Sequence, residues 1–554
     1  MQAHRAHATL LLLALASCAA APQESAAWPQ GAGPNGNWTA AGPAPPLHFS
    51  ATTGTNVLWR TPLPEVGQGG IAIAAGRVFV ATMAPWRGEG LTAEDAARYA
   101  HATEARKVVG KHIDALCLDA ATGALLWTRR IEGEVPSIYG YPFSDATSAS
   151  PVASADHVWF TNAGGQVACF THGGDVVWRR RFQPTSDGPF NKQFEPFLLD
   201  DPARGAGART FVHMEPFASP TGARWHLLVG LDALTGAELW RSTDALTHYN
   251  APILVATPEG PCVLHARGGP HDVPERPVGV SLTRVTGKQA GTAVWRYDDP
   301  RGNHEASLQT MACDDRYVYW LLREPRNALV LLDRSTGREL REVSLVHGVT
   351  VTAFDEQAGT WRTRTGVDLD KGVFPARYSL HAANGFVFFQ CYATAWGKPV
   401  LAPPYSFARI DPGDDAASAQ VAYLEVPTGL VREPDGATTF VWRTPQHALV
   451  KNSRGEEVSG DERSRWDGWD WVFNGSPTRV DDWLYYTLAS GLVYVLDAGP
   501  RPFDGSAFLA LDDLGAAGET WTANSVSYAA GRLFHRTAAE LLCLGSAAGA
   551  APPR

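Results

Sequence analysis

One short pattern, returning along the chain, limits the fold more than any other feature. An apolar strand leads into Asp-x-x-Thr-Gly, and a Trp stands four residues after the Gly. Asp119 to Gly123 leads to Trp127, and Asp232 to Gly236 leads to Trp240. Asp333 to Gly337 leads to Arg341, where the Trp is lost. A shortened copy, Thr171-His172-Gly173-Gly174, reaches Trp178, and a stretched one at Thr286-Gly287 reaches Trp295. Upstream of several copies lies a second unit, a polar turn followed by alternating apolar residues, as in Ala75-Gly76-Arg77-Val78-Phe79 and Asp481-Asp482-Trp483-Leu484-Tyr485. Such alternation marks a strand, and self-similarity at a steady spacing marks a repeat architecture.

Together the two units describe a four-stranded blade. A first strand leads out from the centre, a turn reverses it into the second, and a third ends at the Asp. Asp and Thr side chains bond nearby backbone groups and Gly supplies a positive φ, so Asp-x-x-Thr-Gly makes a tight hairpin into the fourth strand. The Trp on that strand is large enough to fill the space between blades. Leading strands begin near Gly69, Ser148, Phe194, Tyr249, Glu305, Tyr378, Phe473 and Asn524, giving about eight units. The excess length over common propeller repeats is assigned to insertions such as Pro85 to Lys111 and Trp361 to Phe374. The last unit stops after its third strand at Leu544, and Asn56-Val57-Leu58-Trp59-Arg60 matches the missing fourth. The expected fold is therefore all-β, a closed β-propeller of about eight four-stranded blades, with the last blade completed by the N-terminal strand so that no interior sheet edge is left open.

The ends and the charge narrow the setting. His4, Arg5 and His7 precede an apolar run, Leu10 to Ala16, that is too short to span a bilayer. It ends in Leu15-Ala16-Ser17-Cys18, which resembles a bacterial lipobox and makes Cys18 the expected lipid attachment site. The chain divides into a signal peptide (1–17), a lipid-anchored Pro/Gly/Ala-rich tether (18–55), the propeller (56–546) and a disordered tail (547–554). Net charge is −10, which argues against nucleic acid as a partner. Cys117, Cys169 and Cys543 occupy one slot of the repeat that elsewhere holds Gly230, Leu331 or Val495, so that slot serves packing. No Cys-x-x-Cys and no adjacent Cys pair occurs, and no metal site is expected.

Leu118 to Trp127 and Leu231 to Trp240 carry Leu-Asp-Ala-x-Thr-Gly-x-x-Leu-Trp, which resembles the PQQ-like (quinoprotein-type) β-propeller repeat. The opening Trp28-Pro29-Gln30-Gly31-Ala32-Gly33-Pro34-Asn35-Gly36 is similar to the start of secreted bacterial members. That family includes periplasmic dehydrogenases that use pyrroloquinoline quinone (PQQ) and the BamB-type lipoproteins, so the resemblance implies the fold more than a function. The dehydrogenases imply Ca²⁺ held by Glu and Asn, an Asp base, a Trp beneath the quinone and, in several, a disulfide between adjacent Cys. That Cys pair is missing here, and the catalytic residues match no motif of this chain.

The remaining chemistry is a set of channel-mouth candidates. Leading strands bring in Tyr249, Asn250, His304, Glu305, His381 and Asn524, which should converge where first strands ring the axis. The segment Trp466 to Pro477 adds Trp469, Asp470 and Asn474, a mixture of rings and polar groups suited to a flat polar ligand. Asp368-Leu369-Asp370 resembles the opening of a calcium loop but lacks its later ligands, and reads as a polar turn. The expectation is a non-catalytic, monomeric propeller in the cell envelope. It is anchored to a membrane through Cys18, takes an envelope protein or a small polar ligand, and has no catalytic residues and no cofactor. The alternative is a periplasmic PQQ-dependent oxidoreductase carrying PQQ with Ca²⁺.

Overall fold

The computed structural model describes residues 26–84, 109–135, 145–184, 195–218, 224–244, 251–267, 278–301, 310–322, 326–355, 357–369, 380–392, 405–426, 450–458, 475–516 and 518–546, with short pieces at 93, 137–138, 374–375, 394–395, 398–399, 429–432 and 438–441. Eight sheets of four or more strands, each built on four antiparallel strands, follow one another around the ring. Their inner strands are Ala72–Ala74, Val152–Ala153, Phe197–Asp200, Ile253–Thr257, Ala312–Cys313, His381–Ala383, Thr478–Val480 and Ser527–Ala529. Inner strands begin at what we call the upper face. The inner turns and the Asp-x-x-Thr-Gly hairpins lie at the lower face.

The hairpin works as its sequence requires. Asp119 Oδ1 accepts from the backbone N–H of Ala121 (3.0 Å) and Thr122 (2.9 Å) and from the Thr122 hydroxyl (2.9 Å). Asp232 and Asp333 repeat the arrangement. Gly123, Gly236 and Gly337 have φ of 73°, 71° and 70°, a region that carries a steric penalty for residues with a Cβ.

That Gly has a second duty. A Cβ at Gly123 would lie 2.6 Å from the Trp59 ring, one at Gly236 2.7 Å from Trp178, and one at Gly337 2.4 Å from Trp295. Each of these Trp belongs to the preceding blade and lies flat on the hairpin of the next. Its indole N–H donates to a hairpin carbonyl: Trp59 to Ala120 (3.1 Å), Trp127 to His172 (2.9 Å), Trp178 to Ala233 (2.9 Å) and Trp295 to Arg334 (2.8 Å). The repeat motif is thus half of an interface with each neighbour. Cys117, Cys169 and Cys543 stand cross-strand from Trp127, Trp178 and Trp59 and are fully buried, which accounts for a slot that tolerates any small or apolar residue.

Where the motif fails, other groups take the place of the indole. Arg341 reaches Gly413 O of the next hairpin at 2.5 Å. The insertion in this region starts earlier than its expected position. Val349–Asp355 and Thr360–Val367 form a hairpin, and its first strand adds in parallel to Gln420–Glu425, the fourth strand of the sixth blade. Trp361 of that hairpin stacks on Phe508 and lies against Gly505 of the seventh blade. An added strand thus supplies the interblade Trp that the sixth blade's own fourth strand lacks.

Val57–Pro62 closes the ring by pairing antiparallel with Glu540–Leu544. The residues before it differ from expectation. Residues 28–51 fall inside the expected 18–55 tether, yet they are docked on the propeller. Trp28 exchanges both backbone bonds with Ile73, and Pro29 O accepts from Ala153 N–H. Gln30 Oε1 accepts from Leu198 N–H (3.2 Å), and Gly36 O accepts from Leu254 N–H. Thr39–Ala40 runs parallel to Thr478–Val480, and Pro43 O accepts from Tyr528 OH (2.8 Å). The segment therefore joins the inner strands of blades one, two, three, four, seven and eight. A tether composition misleads here because Gly33 and Gly36 serve close approach: the first lies on the Trp28 ring, the second on Leu254. Trp28 is 0% exposed. Inner strands leave backbone groups unpaired along the axis, and the segment satisfies some of them.

Candidate functional site

The strands are short, so the axis is reached by residues just ahead of each inner strand. Four such positions come together above the N-terminal turn. Gly70 N–H donates to Ser150 Oγ (2.8 Å). A Cβ at Gly70 would meet Ser150 Oγ at 2.7 Å and Asn524 Oδ1 at 3.9 Å. A Cβ at Gly31 would meet Glu195 Oε2 at 1.9 Å and Ser150 Oγ at 2.4 Å. Gly31 is thus the floor, and Ser150, Glu195 and Asn524 are the polar groups over it. Only a residue without a side chain fits at that floor.

Glu195 is half-buried as a residue, but its Oε2 is shut off from solvent and has no hydrogen-bond partner among the described residues. Burial pushes its carboxyl up to about 7, against the opposing hydrogen bonds of Ser150. A carboxyl so placed is partly protonated at neutral pH and offers either a donor or an acceptor. The stability it contributes is full below its ordinary range near 4.5 and is lost as pH rises through about 7. Glu195→Gln, neutral throughout, should match the wild-type melting temperature at acid pH and exceed it above pH 8. Melting curves at the two ends of that range check this; parallel curves would mean that the carboxyl is solvated.

Beside this group a largely buried network joins blades eight, one and two. Thr147 Oγ1 donates to Asp145 Oδ1 (2.5 Å) and accepts from Gln68 N–H (2.8 Å). Arg536 Nη1 donates to Gly69 O (2.9 Å) and Ala81 O (2.7 Å). Burial lowers Arg536 to about 10, which leaves it charged at neutral pH, and raises Asp145. The network fixes the Gly67–Gly70 backbone against which Ser150 and Asn524 lie.

Of the sequence candidates, Asn524 stands in the polar group and is 9% exposed. His381 lies in the inner strand of the sixth blade, 5% exposed, with burial pushing it down to about 3. It is a neutral imidazole at any physiological pH. Cys18, Tyr249, Asn250, His304, Glu305, Trp469, Asp470 and Asn474 lie outside the described residues. Sequence reasoning passed over Ser150 and Glu195 although it marked the strands they precede. The available signal was a lone carboxyl at Glu195-Pro196 at the start of an apolar strand.

A quinone with Ca²⁺ needs several convergent oxygen donors. Glu195 and Asn524 are one carboxyl and one carboxamide, and among the described residues no group of three His, Cys, Asp or Glu converges. A cation here would need oxygen donors beyond Glu195 and Asn524.

Residues 47–264 match the family model described as outer membrane protein assembly factor BamB. No curated protein matches the chain. Among solved structures it is similar to quinohemoprotein alcohol dehydrogenase from Comamonas testosteroni, at 12% identity over 96% of this chain and 82% of that one, with a TM-score of 0.50. It is also similar to a europium-containing methanol dehydrogenase, at 10% identity over 92% and 89%, with a TM-score of 0.48. BamB from Moraxella catarrhalis matches at 12% identity over 71% and 93%, with a TM-score of 0.32. At such identities the likeness concerns the fold alone.

Proposed function

We propose, for a chain whose repeats resemble the PQQ-like propeller repeat, a non-catalytic binding function in the cell envelope, with a small polar ligand taken at the upper end of the channel. The observation that supports this reading is the polar group itself: Gly31 packs directly against Glu195 and Ser150, Asn524 stands nearby, and one Glu195 carboxyl oxygen is unpartnered among the described residues. An enclosed polar atom without a partner favours a ligand or water that supplies one. Tyr249, Asn250, His304, Glu305, Trp469, Asp470 and Asn474 belong to the same proposal as further lining of the mouth. Native mass spectrometry of protein purified from its own envelope tests it. A small molecule retained by the wild type should be lost from Glu195→Gln and from Asn524→Ala; retention by both variants removes these residues from the site.

Membrane attachment through Cys18 is part of the proposal, and the protein acts as a monomer that takes its ligand, or an envelope protein partner, at the upper face. No helix among the described residues is long and apolar enough to cross a membrane, so a lipid would supply the attachment. Cys18→Ser should abolish lipid labelling and shift the protein out of the membrane fraction. Unchanged partition would count against the anchor. A second reading, a periplasmic quinone-dependent oxidoreductase, draws on the same Glu195 and Asn524 as cation ligands and requires further donors from the mouth residues.

A further inference from the structure

A second cavity lies away from the channel, at the junction of blades seven and eight. It has a volume of about 260 Å³ and is built from parts of the chain far apart in sequence. Thr52 comes from the turn before the closing strand, Arg60 from that strand, and Lys451 from the piece 450–458. Glu519 and Trp521 come from the link between the two blades, and Glu540 from the start of the last blade's third strand. Each part is fixed independently. Arg60 Nε donates to Glu540 Oε2 (2.9 Å), and Arg60 Nη1 to Ala51 O (3.0 Å). Val450 and Val458 are buried in the same apolar cluster as Trp521 and Ala538. Arg454 donates to Pro64 O (2.8 Å) and pairs with Glu65, which holds the piece bearing Lys451 in place.

The charges of the cavity do not cancel locally. Arg60 and Glu540 neutralise each other. Lys451 and Glu519 have opposite signs and no ion-pair partner among the described residues, although both line the same cavity. A cavity that presents one ammonium and one carboxylate, with Trp521 as apolar lining, is complementary to a ligand carrying both charges. We propose that this cavity is a binding site for a small zwitterion, an amino acid or a short peptide: its carboxylate would face Lys451 and its ammonium Glu519. The site is separate from the channel mouth and does not depend on the reading given above.

Titration of the full chain with glycylglycine, followed by heteronuclear NMR or calorimetry, tests the proposal, with glycinamide and N-acetylglycine as probes that keep one charge each. Glycylglycine should bind saturably, each single-charge probe at least about tenfold more weakly. Lys451→Met and Glu519→Gln should each weaken glycylglycine by about tenfold or more while melting as the wild type does, since neither side chain holds a structural partner among the described residues. Lys451→Arg should retain binding, which separates loss of charge from loss of fold. No saturable binding, equal binding of all three probes, or full binding by the Lys451→Met/Glu519→Gln double variant would overturn the assignment.

Discussion

Deleting residues 56–61 should leave no soluble monomer. The segment supplies the fourth strand of the last blade, where Trp59, Arg60 and Thr61 lie opposite Cys543, Leu542 and Leu541. It also carries Trp59, the indole that docks on the hairpin of the first blade. Without it Leu541 to Leu544, all 0% exposed, become an apolar sheet edge, which is the form of strand that recruits other chains. Blades one and eight lose the indole-on-hairpin contact at the same time. Size-exclusion chromatography reads the outcome as a shift from monomer to aggregate. A deletion variant that elutes and melts like the wild type would show that the ring is closed by something else.

Trp28→Ala should destabilise the protein by about 3 to 5 kcal/mol, as for other fully buried large aromatics, although Trp28 belongs to no blade. Its ring lies on Gly33, and its backbone pairs with Ile73 of the first inner strand. Losing it removes the seat of the turn that carries Gly31, so the floor of the channel should loosen with it. A lowered denaturant midpoint, together with faster amide exchange at Ala153, Leu198 and Leu254, is the expected reading. Those amides are the donors to Pro29, Gln30 and Gly36. An unchanged midpoint would mean that the segment is merely laid on the ring.

The blades were legible because the chemistry that makes them is local. Asp, Thr and Gly within five residues build the hairpin, and the Trp that follows is spaced to reach the next one. Even the closing strand could be read, since the last unit lacks one strand and residues 56–60 match it. The N-terminal segment was not legible as a floor. Gly and Pro mark a flexible tether as readily as they mark close approach, and only the neighbours of Gly31, Gly33 and Gly36 separate the two. Glu195 was missed for a similar reason: a single carboxyl before a strand becomes notable only when the ring encloses it beside Ser150. Arg341 and Trp361 show the converse case. The Trp lost at Arg341 was visible at its position, but what replaces it, an arginine that reaches a carbonyl, was not; the sixth blade's interblade Trp comes from an inserted hairpin paired in parallel, which has no fixed spacing to the motif.

The central claim is that this propeller binds without catalysing, and quinone-dependent dye reduction tests it most directly. Purified full-length protein is incubated with PQQ and Ca²⁺, then assayed with an artificial electron acceptor across a panel of primary alcohols and aldose sugars. A propeller that only binds should give no reduction above a heat-denatured control. Sustained turnover by the wild type, abolished in Glu195→Gln, would contradict it and make the channel the active site of an oxidoreductase.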